Sequence, residues 1–247
     1  MTRIVIVGGA GRMGRALVAA ARDFDVEVGA VIASPRSAAI GQDAGEMAGV
    51  RRLGLPITAD LGAALAAADV VIDFSQPHVA RDHVDQCALA RVPLVLGTTG
   101  LPDGIEADFD RAAARIALLV APNTSLGVTL LRDLVARAAR ALTDEFDVTI
   151  VESHHRAKKD APSGTAIALG HAVQEARRRP VDYAVVRGGD VVGEHDVRFL
   201  GQGEEVSLAH RATDRAIFAR GALRAAAWLA GQPPGRYAMT DVLGIKS

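Results

Sequence analysis

Two adjacent histidines and a lysine cluster stand close together in the segment ESHHRAKKDAPSGT. His154 and His155 follow the strand-like run FDVTIV, and Lys158 lies three residues after the second histidine. Histidine is the side chain best suited to donate a proton near neutral pH, and a lysine ammonium group attracts a carboxylate or a developing negative charge. This spacing favours proton transfer to an anionic substrate.

The same segment runs into a predicted helix start. Pro162 stiffens the chain before Ser163, and Gly164 permits close approach of a ligand to the backbone. The free N–H groups of a helix N-terminus form an anion site, which the helix dipole reinforces. A substrate with two carboxylates that accepts a hydride and then a proton would use both the lysine and the helix start.

Two other interpretations of this segment compete with proton transfer. Neighbouring residues of a strand point to opposite faces, so His154 and His155 are poorly placed to hold one zinc ion, and the sequence has no H-x-x-x-H or C-x-x-C pair. We therefore predict no metal site. The segment could also be a polar loop with two surface histidines, an alternative that the sequence leaves open.

The elements that must position these side chains fall into two groups. Up to Thr124, the apolar runs RIVIVGG, VEVGAVIA, DVVIDFS, VPLVLGTTG and IALLVAPNTS alternate with helical stretches, which is typical of a Rossmann-like, doubly wound parallel sheet. Beyond it, one long helix and strands joined by glycine-rich turns indicate an α+β domain with a mostly antiparallel sheet. We predict a dinucleotide-binding domain at 1–126, to which 216–247 return, and a substrate-binding domain at 127–215.

A glycine loop follows the first strand and precedes the first helix. It has the form G-x-G-x-x-G at Gly9, Gly11 and Gly14, in the context that a dinucleotide fingerprint requires. The glycines let backbone N–H groups approach a pyrophosphate closely. The loops GTTG and APNTS follow later strands and are placed to touch the nicotinamide half of a cofactor. All three loops could instead be plain turns.

The end of the second strand bears on the choice of cofactor. Its sequence, Ala33-Ser34-Pro35-Arg36, lacks the carboxylate that would bind ribose hydroxyls about 20 residues after the glycine loop. Ser34 or Arg36 could contact a 2′-phosphate, which favours NADPH over NADH. Arg36 could equally be a solvated loop charge.

The composition limits the class of protein. The chain has 49% hydrophobic and 23% charged residues and a formal net charge of −1, which argues against a nucleic-acid partner. Its single cysteine, Cys87, excludes an intramolecular disulfide and suits a reducing cytoplasm. The N-terminus starts with a strand, and no apolar run reaches the roughly 18 residues that span a bilayer. We expect a soluble, cytoplasmic protein without a membrane partner.

Seven motifs extend the evidence over essentially the whole chain. GGAGRMGR, FSQPH, GTTG, APNTSLGV, ESHHRAKKDAPSGTA, RGGDVVGEH and YAMTDVLG occur in this order. Together they resemble the dihydrodipicolinate reductase family. The resemblance implies reduction of 4-hydroxy-tetrahydrodipicolinate to tetrahydrodipicolinate with NADPH or NADH, in diaminopimelate and lysine biosynthesis. It also implies a homotetramer built through the sheets of the substrate-binding domain.

The resemblance assigns roles to individual residues. It makes His154 the proton donor and pairs Lys158 with charge on the substrate. It implies that His155, Gly164 and Thr165 bind the substrate. The cofactor contacts that it implies are Gly8, Gly9, Ala10, Gly11, Arg12, Met13, Gly97, Thr98, Thr99, Ala121, Pro122, Asn123 and Thr124.

One departure from the family and two other functions remain. Many members carry Glu-Arg where this chain has Ala33-Ser34, so the resemblance leaves the cofactor preference open. A nucleotide-binding regulatory module without turnover would need the glycine loop, but it gives no reason for the histidine–lysine segment. A dehydrogenase for a simpler acid or aldehyde would more naturally use Cys87 or a single histidine, and Cys87 lies in a helix-like stretch.

Overall fold

The computed structural model describes residues 1–177 and 179–245, and the chain divides into two compact units. Unit 1 comprises Met1–Ser125 and Phe218–Ser247, and unit 2 comprises Leu126–Ile217. Each unit has its own cluster of buried apolar side chains. Within the described part of the chain, no helix has the length and apolar character needed to cross a membrane.

The strands and helices are numbered in chain order. The strands are β1 (Thr2–Val7), β2 (Val26–Ile32), β3 (Val70–Asp73), β4 (Leu94–Leu96), β5 (Ala117–Val120), β6 (Asp147–His154), β7 (Asp182–Arg187), β8 (Gly193–Gly201), β9 (Glu204–Ala212) and β10 (Gly235–Tyr237). The α-helices are α1 (Arg12–Ala20), α2 (Ala44–Met47), α3 (Leu61–Leu65), α4 (Ala80–Ala90), α5 (Glu106–Ala113), α6 (Leu126–Ala141), α7 (Gly164–Arg177), α8 (Ala216–Leu229) and α9 (Met239–Val242). Short 3₁₀ turns lie at Ala21–Asp23, Pro77–Val79 and Thr143–Glu145.

Unit 1 contains a parallel sheet with the strand order β10-β5-β4-β3-β1-β2. Every side chain of β3 is buried, from Val70 to Asp73, as expected for a strand with both faces covered. The last strand, β10, pairs with β5 at the edge of this sheet. The predicted Rossmann-like, doubly wound sheet is confirmed.

Unit 2 contains a sheet with the strand order β7-β6-β8-β9. The strands β6, β8 and β9 pair in antiparallel fashion, which confirms the mostly antiparallel sheet. The strand β7 pairs in parallel with β6 and not with β8, which follows it after a glycine-rich turn. The expectation that such turns join antiparallel neighbours is wrong for β7, because the helix α7 provides the crossover that a parallel pair requires.

The side chains of β6 alternate between the two faces of this sheet. Val148, Ile150, Glu152 and His154 are buried, and the residues between them are more exposed. Side chains from α6 and α7 pack with Val148 and Ile150 in the core of unit 2. The two-residue period of a strand therefore carries Glu152 and His154 to the face on which the helices pack.

Candidate active site

A buried hydrogen bond joins Glu152 and His154 at the end of β6. The two residues are two positions apart on one face of the strand, and the Glu152 side chain is 0% exposed. The distance from His154 Nδ1 to Glu152 Oε2 is 2.5 Å. This contact fixes the imidazole ring with Nδ1 towards the carboxylate.

The carboxylate of Glu152 has further donors on both of its oxygens. Arg187, at the end of β7, donates from Nη1 to Oε2 (2.8 Å) and from Nη2 to Oε1 (2.7 Å). The backbone N–H of Ser163 donates to Oε1 at 3.0 Å. Burial acts to raise the pKa of Glu152, but the hydrogen bonds from Arg187, His154 and Ser163 outweigh it and hold the pKa below its ordinary value. Glu152 is therefore a buried, ionised side chain.

A second histidine from β8 completes the buried cluster. The ring of His195 meets that of His154 edge-on, with 5.2 Å between the ring centroids. Its Nε2 lies 3.0 Å from Ser163 Oγ, and burial lowers the pKa of His195 to about 4. Ser163 Oγ also accepts a hydrogen bond from the backbone N–H of Ala166, so its hydroxyl proton points to the neutral His195.

The first turn of α7 is fixed by this cluster. Ser163 precedes the helix, and its bond to the N–H of Ala166 is that of an N-cap. Gly164, the first residue of α7, is exposed, and a Cβ added there would meet nothing within 4 Å. Thr165 follows it and is half-buried. The predicted substrate residues of this turn therefore sit at an open helix N-terminus.

The predicted residues before the helix lie on the same loop. His155 and Lys158 are half-buried, and the backbone N–H of Lys158 donates to His155 O at 3.1 Å. Lys158 Nζ lies 2.9 Å from Asp160 Oδ2, and its hydrogen bond holds the pKa of Asp160 below the ordinary value. All five predicted catalytic and substrate residues thus lie between the end of β6 and the first turn of α7, within residues 154–165 of unit 2.

The titration of His154 reflects opposing influences. Burial lowers the pKa of His154 most strongly, the hydrogen bond to Glu152 raises it, and the net pKa lies below the ordinary value. The charges of Lys158 and Arg187 also lower it. A bound dicarboxylate would add negative charge beside the ring and raise the pKa. A bound anionic ligand would therefore favour the protonated form of His154.

Unit 1 has a cavity of about 670 Å³ at the carboxyl ends of β1, β2 and β3. Gly8 and Gly11 of the glycine loop line it, together with Ala10. Gly8 has φ +81°, and a Cβ there would lie 2.5 Å from Phe74 O. A Cβ at Gly14 would lie 2.4 Å from Gly8 O, so α1 packs directly on the loop. The cavity has the size of a cofactor site, and the glycine loop forms part of its wall.

The other predicted cofactor residues surround this cavity only in part. Ser34 lines the cavity, whereas Gly9, Arg12, Met13 and Arg36 are not among its lining residues. Gly9 is closed in by Val31, because a Cβ at Gly9 would lie 2.0 Å from Val31 Cγ1.

The two later loops lie beyond the cavity lining, at the ends of β4 and β5. A Cβ at Gly97 would lie 2.2 Å from Cε1 of Phe74, and Phe74 itself lines the cavity. The GTTG loop therefore packs against Phe74, behind the cavity lining. Thr98 is buried, and its Oγ1 has no hydrogen-bond partner among the described residues. The side chain of the exposed Thr99 is free to face solvent.

The APNTS loop makes hydrogen bonds within itself and to neighbouring parts of unit 1. The N–H of Ala121 donates to Leu96 O at 2.9 Å, and Pro122 next to it is exposed. Asn123 Oδ1 accepts a bond from the following backbone, and Thr124 Oγ1 donates to Phe218 O at 2.7 Å. Hydrogen bonds to β4 and α8 thus anchor this loop within unit 1.

The sequence interpretation missed several polar residues of both sites. Glu152 could have been found from its spacing, because two residues apart on a strand means the same face as His154. Arg187 and His195 come from other strands and give no such signal. In unit 1, His83 lines the cavity, and its Nδ1 lies 2.8 Å from the buried Asp73 Oδ2. That pair spans a strand end and a helix.

Two further candidates can be assessed from the structure. Cys87 is fully buried in α4, and burial raises the pKa of its thiol, so it is unsuited to be a nucleophile. Within residues 1–177 and 179–245, no group of three or more histidine, cysteine, aspartate or glutamate side chains is arranged to hold a metal ion.

Comparisons with known proteins agree with this architecture. The family model "Dihydrodipicolinate reductase, N-terminus" matches residues 2–124, and the model "Dihydrodipicolinate reductase, C-terminus" matches residues 127–243. The 4-hydroxy-tetrahydrodipicolinate reductase of Alkalilimnicola ehrlichii is 48% identical, over 99% of both chains. The corresponding reductase of Anaeromyxobacter dehalogenans is 46% identical, over 100% of this chain and 99% of the relative.

Solved structures show the same fold. A dipicolinate-bound dihydrodipicolinate reductase from Paenisporosarcina superposes with a TM-score of 0.81 at 23% identity and covers 98% of each chain. An amine dehydrogenase from Mycobacterium smegmatis shares the fold more loosely, with a TM-score of 0.63 at 15% identity over 96% of this chain and 95% of the other. With both family models matched along nearly its whole length, the chain belongs to the dihydrodipicolinate reductase family.

Proposed function

We propose that this protein reduces 4-hydroxy-tetrahydrodipicolinate to tetrahydrodipicolinate with a nicotinamide cofactor, in diaminopimelate and lysine biosynthesis. The overall change replaces a ring hydroxyl by hydrogen, so a hydride and a proton are added and water leaves. The observation that carries the proposal is the buried His154–Glu152 pair beside an open helix N-terminus. It joins a proton donor to an anion site on one loop, and family membership agrees with it.

The residues of unit 2 bind the substrate and protonate it. His154 donates the proton, and Lys158 offsets charge on the substrate. His155 contacts the substrate, and Gly164 and Thr165 bind one carboxylate at the N-terminus of α7. The half-buried His155 and Lys158 and the exposed Gly164 support these roles, because a ligand can reach them. A dicarboxylate is also the ligand of the solved Paenisporosarcina relative.

The residues of unit 1 hold the cofactor, NADPH or NADH. Three observations fit a dinucleotide: the glycine cradle that a Cβ would fill, the cavity beside it, and the unpartnered Oγ1 of Thr98. The bound cofactor supplies the hydride. The residues that hold it are Gly8, Gly9, Ala10, Gly11, Arg12, Met13, Ser34, Arg36, Gly97, Thr98, Thr99, Ala121, Pro122, Asn123 and Thr124.

NADPH is the proposed cofactor of preference. Ser34 lines the cavity at the end of β2, and its Oγ accepts a bond from the backbone N–H of Arg36 at 3.4 Å. Arg36 is exposed, so its guanidinium group is available to a 2′-phosphate. The sequence from Ala33 to Arg36 contains no carboxylate to repel that phosphate.

The assembly and location are proposed with the activity. A homotetramer formed through the sheets of unit 2 is supported by the sheet face opposite α6 and α7. On that face Val186 is 50% exposed and Leu200 is 38% exposed. Light scattering after size-exclusion chromatography would give a mass of four chains. A lone buried cysteine suits a cytoplasmic, reducing location.

A direct assay tests the proposed activity. Enzymatically prepared 4-hydroxy-tetrahydrodipicolinate is mixed with the protein and with NADPH or NADH, and the loss of reduced-nicotinamide absorbance is followed. We expect oxidation of the cofactor that depends on substrate. Cofactor binding without any oxidation would instead support a regulatory module and would overturn the proposal.

A further inference from the structure

Glu152 lies on β6 just before the loop that carries the proposed substrate residues, and its side chain does not reach solvent. Its side chain is fully buried on β6, and His154 is two residues away on the same face. The described residues that are both polar and buried in unit 2 are Glu152, His154, Ser163 and His195. All four belong to one cluster joined by hydrogen bonds and by the edge-on contact of the two histidine rings. A buried carboxylate is costly unless it is fully paired, so its position in this cluster requires explanation.

The hydrogen bonds of Glu152 use both of its oxygens twice. Oε1 accepts from Ser163 N–H and Arg187 Nη2, and Oε2 accepts from His154 Nδ1 and Arg187 Nη1. An ionised carboxylate offers about four acceptor sites, so this pattern saturates it. Arg187 Nη2 also donates to Asp160 O at 2.7 Å. One carboxylate thus connects β6, β7, the loop and the start of α7.

The contact decides which nitrogen of His154 is left for chemistry. Because Nδ1 donates to Glu152, Nε2 is the nitrogen that can exchange a proton with a ligand. Gly193 lies next to this nitrogen, and a Cβ there would come within 3.0 Å of Nε2. The absence of a side chain at position 193 keeps the Nε2 edge uncrowded.

We propose that Glu152 is the positioning residue of the proton donor, and that it orients His154 with Nε2 outward while it ties the donor to the substrate-binding loop. The inference rests on the proposed reduction and adds a residue to it. Glu152 acts through His154 and through Ser163 N–H, not by contact with the substrate. Arg187 is the counter-charge that keeps Glu152 ionised in its buried place.

The effect of Glu152 on the pKa of His154 has a direction that can be measured. The groups that face His154 are Glu152 on β6, Arg187 on β7, His195 on β8 and Lys158 on the loop. Among these, Glu152 is the one whose hydrogen bond and charge raise the pKa of His154. Replacing Glu152 by a neutral residue should therefore shift the loss of activity with rising pH towards lower pH.

The principal test compares Glu152→Gln in two backgrounds. Wild-type turnover is measured first. Its absence would refute the proposed function itself, which distinguishes that outcome from a failure of the positioning role. With wild-type turnover present, we expect Glu152→Gln to lower kcat on the order of 10²-fold and to shift the pH profile as stated. In a His154→Gln background the same change should alter kcat by less than about twofold, because Glu152 then has no donor to position.

The controls separate positioning from damage to the fold. Thermal unfolding and NADPH affinity are measured for each variant. Asp133→Asn removes a carboxylate that pairs with Arg137 on α6, away from the loop, and should leave kcat unchanged. Equal losses from Glu152→Gln in both backgrounds, with an unshifted pH profile, would show a structural role and overturn the proposal.

A second variant tests the same orientation without touching the buried charge. Gly193→Ala places a methyl group against His154 Nε2, and we expect kcat to fall about tenfold with NADPH affinity unchanged. This variant remains informative if Glu152→Gln does not fold. A wild-type kcat for Gly193→Ala would show that Nε2 is not the donating atom, and the proposal would fail.

Discussion

The two units each present the N-terminus of a helix, but they build the surrounding site from different material. In unit 1, α1 begins after Gly11, where no side chain of the described residues caps the helix, and Gly8 and Gly11 form the part of the cavity wall next to it. In unit 2, α7 begins after Ser163, whose hydroxyl caps the helix and whose N–H is held by a buried carboxylate. One site depends on missing side chains, and the other on buried side chains that are held by hydrogen bonds.

The difference reflects what each proposed ligand needs. A pyrophosphate is bound by close approach of backbone N–H groups, and any Cβ in the way is harmful. Proton donation needs one side chain in one orientation and protonation state, which buried hydrogen bonds can impose. Changes in unit 1 should therefore act on cofactor affinity, and changes in unit 2 should act on turnover and its pH dependence.

The largest expected effect belongs to the proton donor. His154→Gln should lower kcat by about 10²- to 10⁴-fold, because the proposed general acid is lost. NADPH affinity should stay at the wild-type value, since the proposed cofactor residues lie in unit 1. Steady-state kinetics measure kcat, and fluorescence titration with NADPH measures cofactor affinity. Turnover close to wild type would show that His154 is not the proton donor, and the proposed contrast between the two units would be wrong.

A pH-dependent stability should distinguish unit 2. The pKa of His195 is about 4 in the folded protein, below the ordinary value of 6.5, so the unfolded chain binds a proton first as the pH falls. Its contribution to stability is complete above pH 6.5 and is lost as the pH falls through about 4. One pKa unit corresponds to about 1.4 kcal/mol, so the loss is on the order of 3 kcal/mol.

Urea unfolding of wild type and His195→Gln checks this loss. Between pH 6.5 and pH 4, the free energy of unfolding should fall more steeply for the wild type than for the variant. Equal slopes would mean that His195 is not held neutral by burial, and unit 2 would lose one of its distinguishing features.

The glycine cradle should respond in the opposite way to the proton donor. Gly8→Ala puts a Cβ at φ +81° and 2.5 Å from Phe74 O, so we expect the free energy of unfolding to fall by about 1–3 kcal/mol and NADPH affinity to fall with it. Binding of dipicolinate to unit 2, measured by calorimetry, should persist.

A matched glycine variant serves as the control for Gly8→Ala. Gly231 is exposed and has only ordinary contact distance for a Cβ, 3.9 Å to Trp228 O. Gly231→Ala should leave cofactor affinity unchanged. If Gly8→Ala binds NADPH as tightly as this control does, the cradle is not the cofactor site.

The smallest expected effect concerns cofactor preference. Arg36→Ala should raise KM for NADPH about two- to fivefold, which corresponds to an exposed charge contact of up to about 1 kcal/mol. KM for NADH should not change, because NADH lacks the 2′-phosphate. Parallel kinetics with both cofactors measure the ratio. An equal change in KM for both cofactors would show that Arg36 does not discriminate between them.

The sequence predicted the fold class well, but missed one strand pairing. Alternating apolar runs and helices specify a parallel sheet, because both faces of such strands are buried. The parallel pairing of β7 with β6 escaped prediction, since a glycine-rich turn after β7 looks the same whether or not the next strand is its neighbour. Strand order depends on how helix α7 packs, which is a tertiary contact.

The histidine loop shows the same division at the level of residues. Local spacing identified His154, Lys158 and the helix start, because all lie within one short segment. Arg187 and His195 reach the segment from strands 33 and 41 positions away from His154, and no local pattern links them to it. The same holds for His83 and Asp73 in unit 1, which meet across a strand end and a helix.

The sequence alone determined the chemistry available and the two-part, Rossmann-like and α+β architecture, because residue types and short-range periodicity are local properties. Only the tertiary structure decided which nitrogen of His154 binds Glu152 and which charge stabilises that carboxylate. Those outcomes depend on burial and on partners from β7 and β8. A carboxylate at position 152 is an ordinary polar residue in the sequence, and it stays ionised in a buried position only because the folded chain surrounds it with donors.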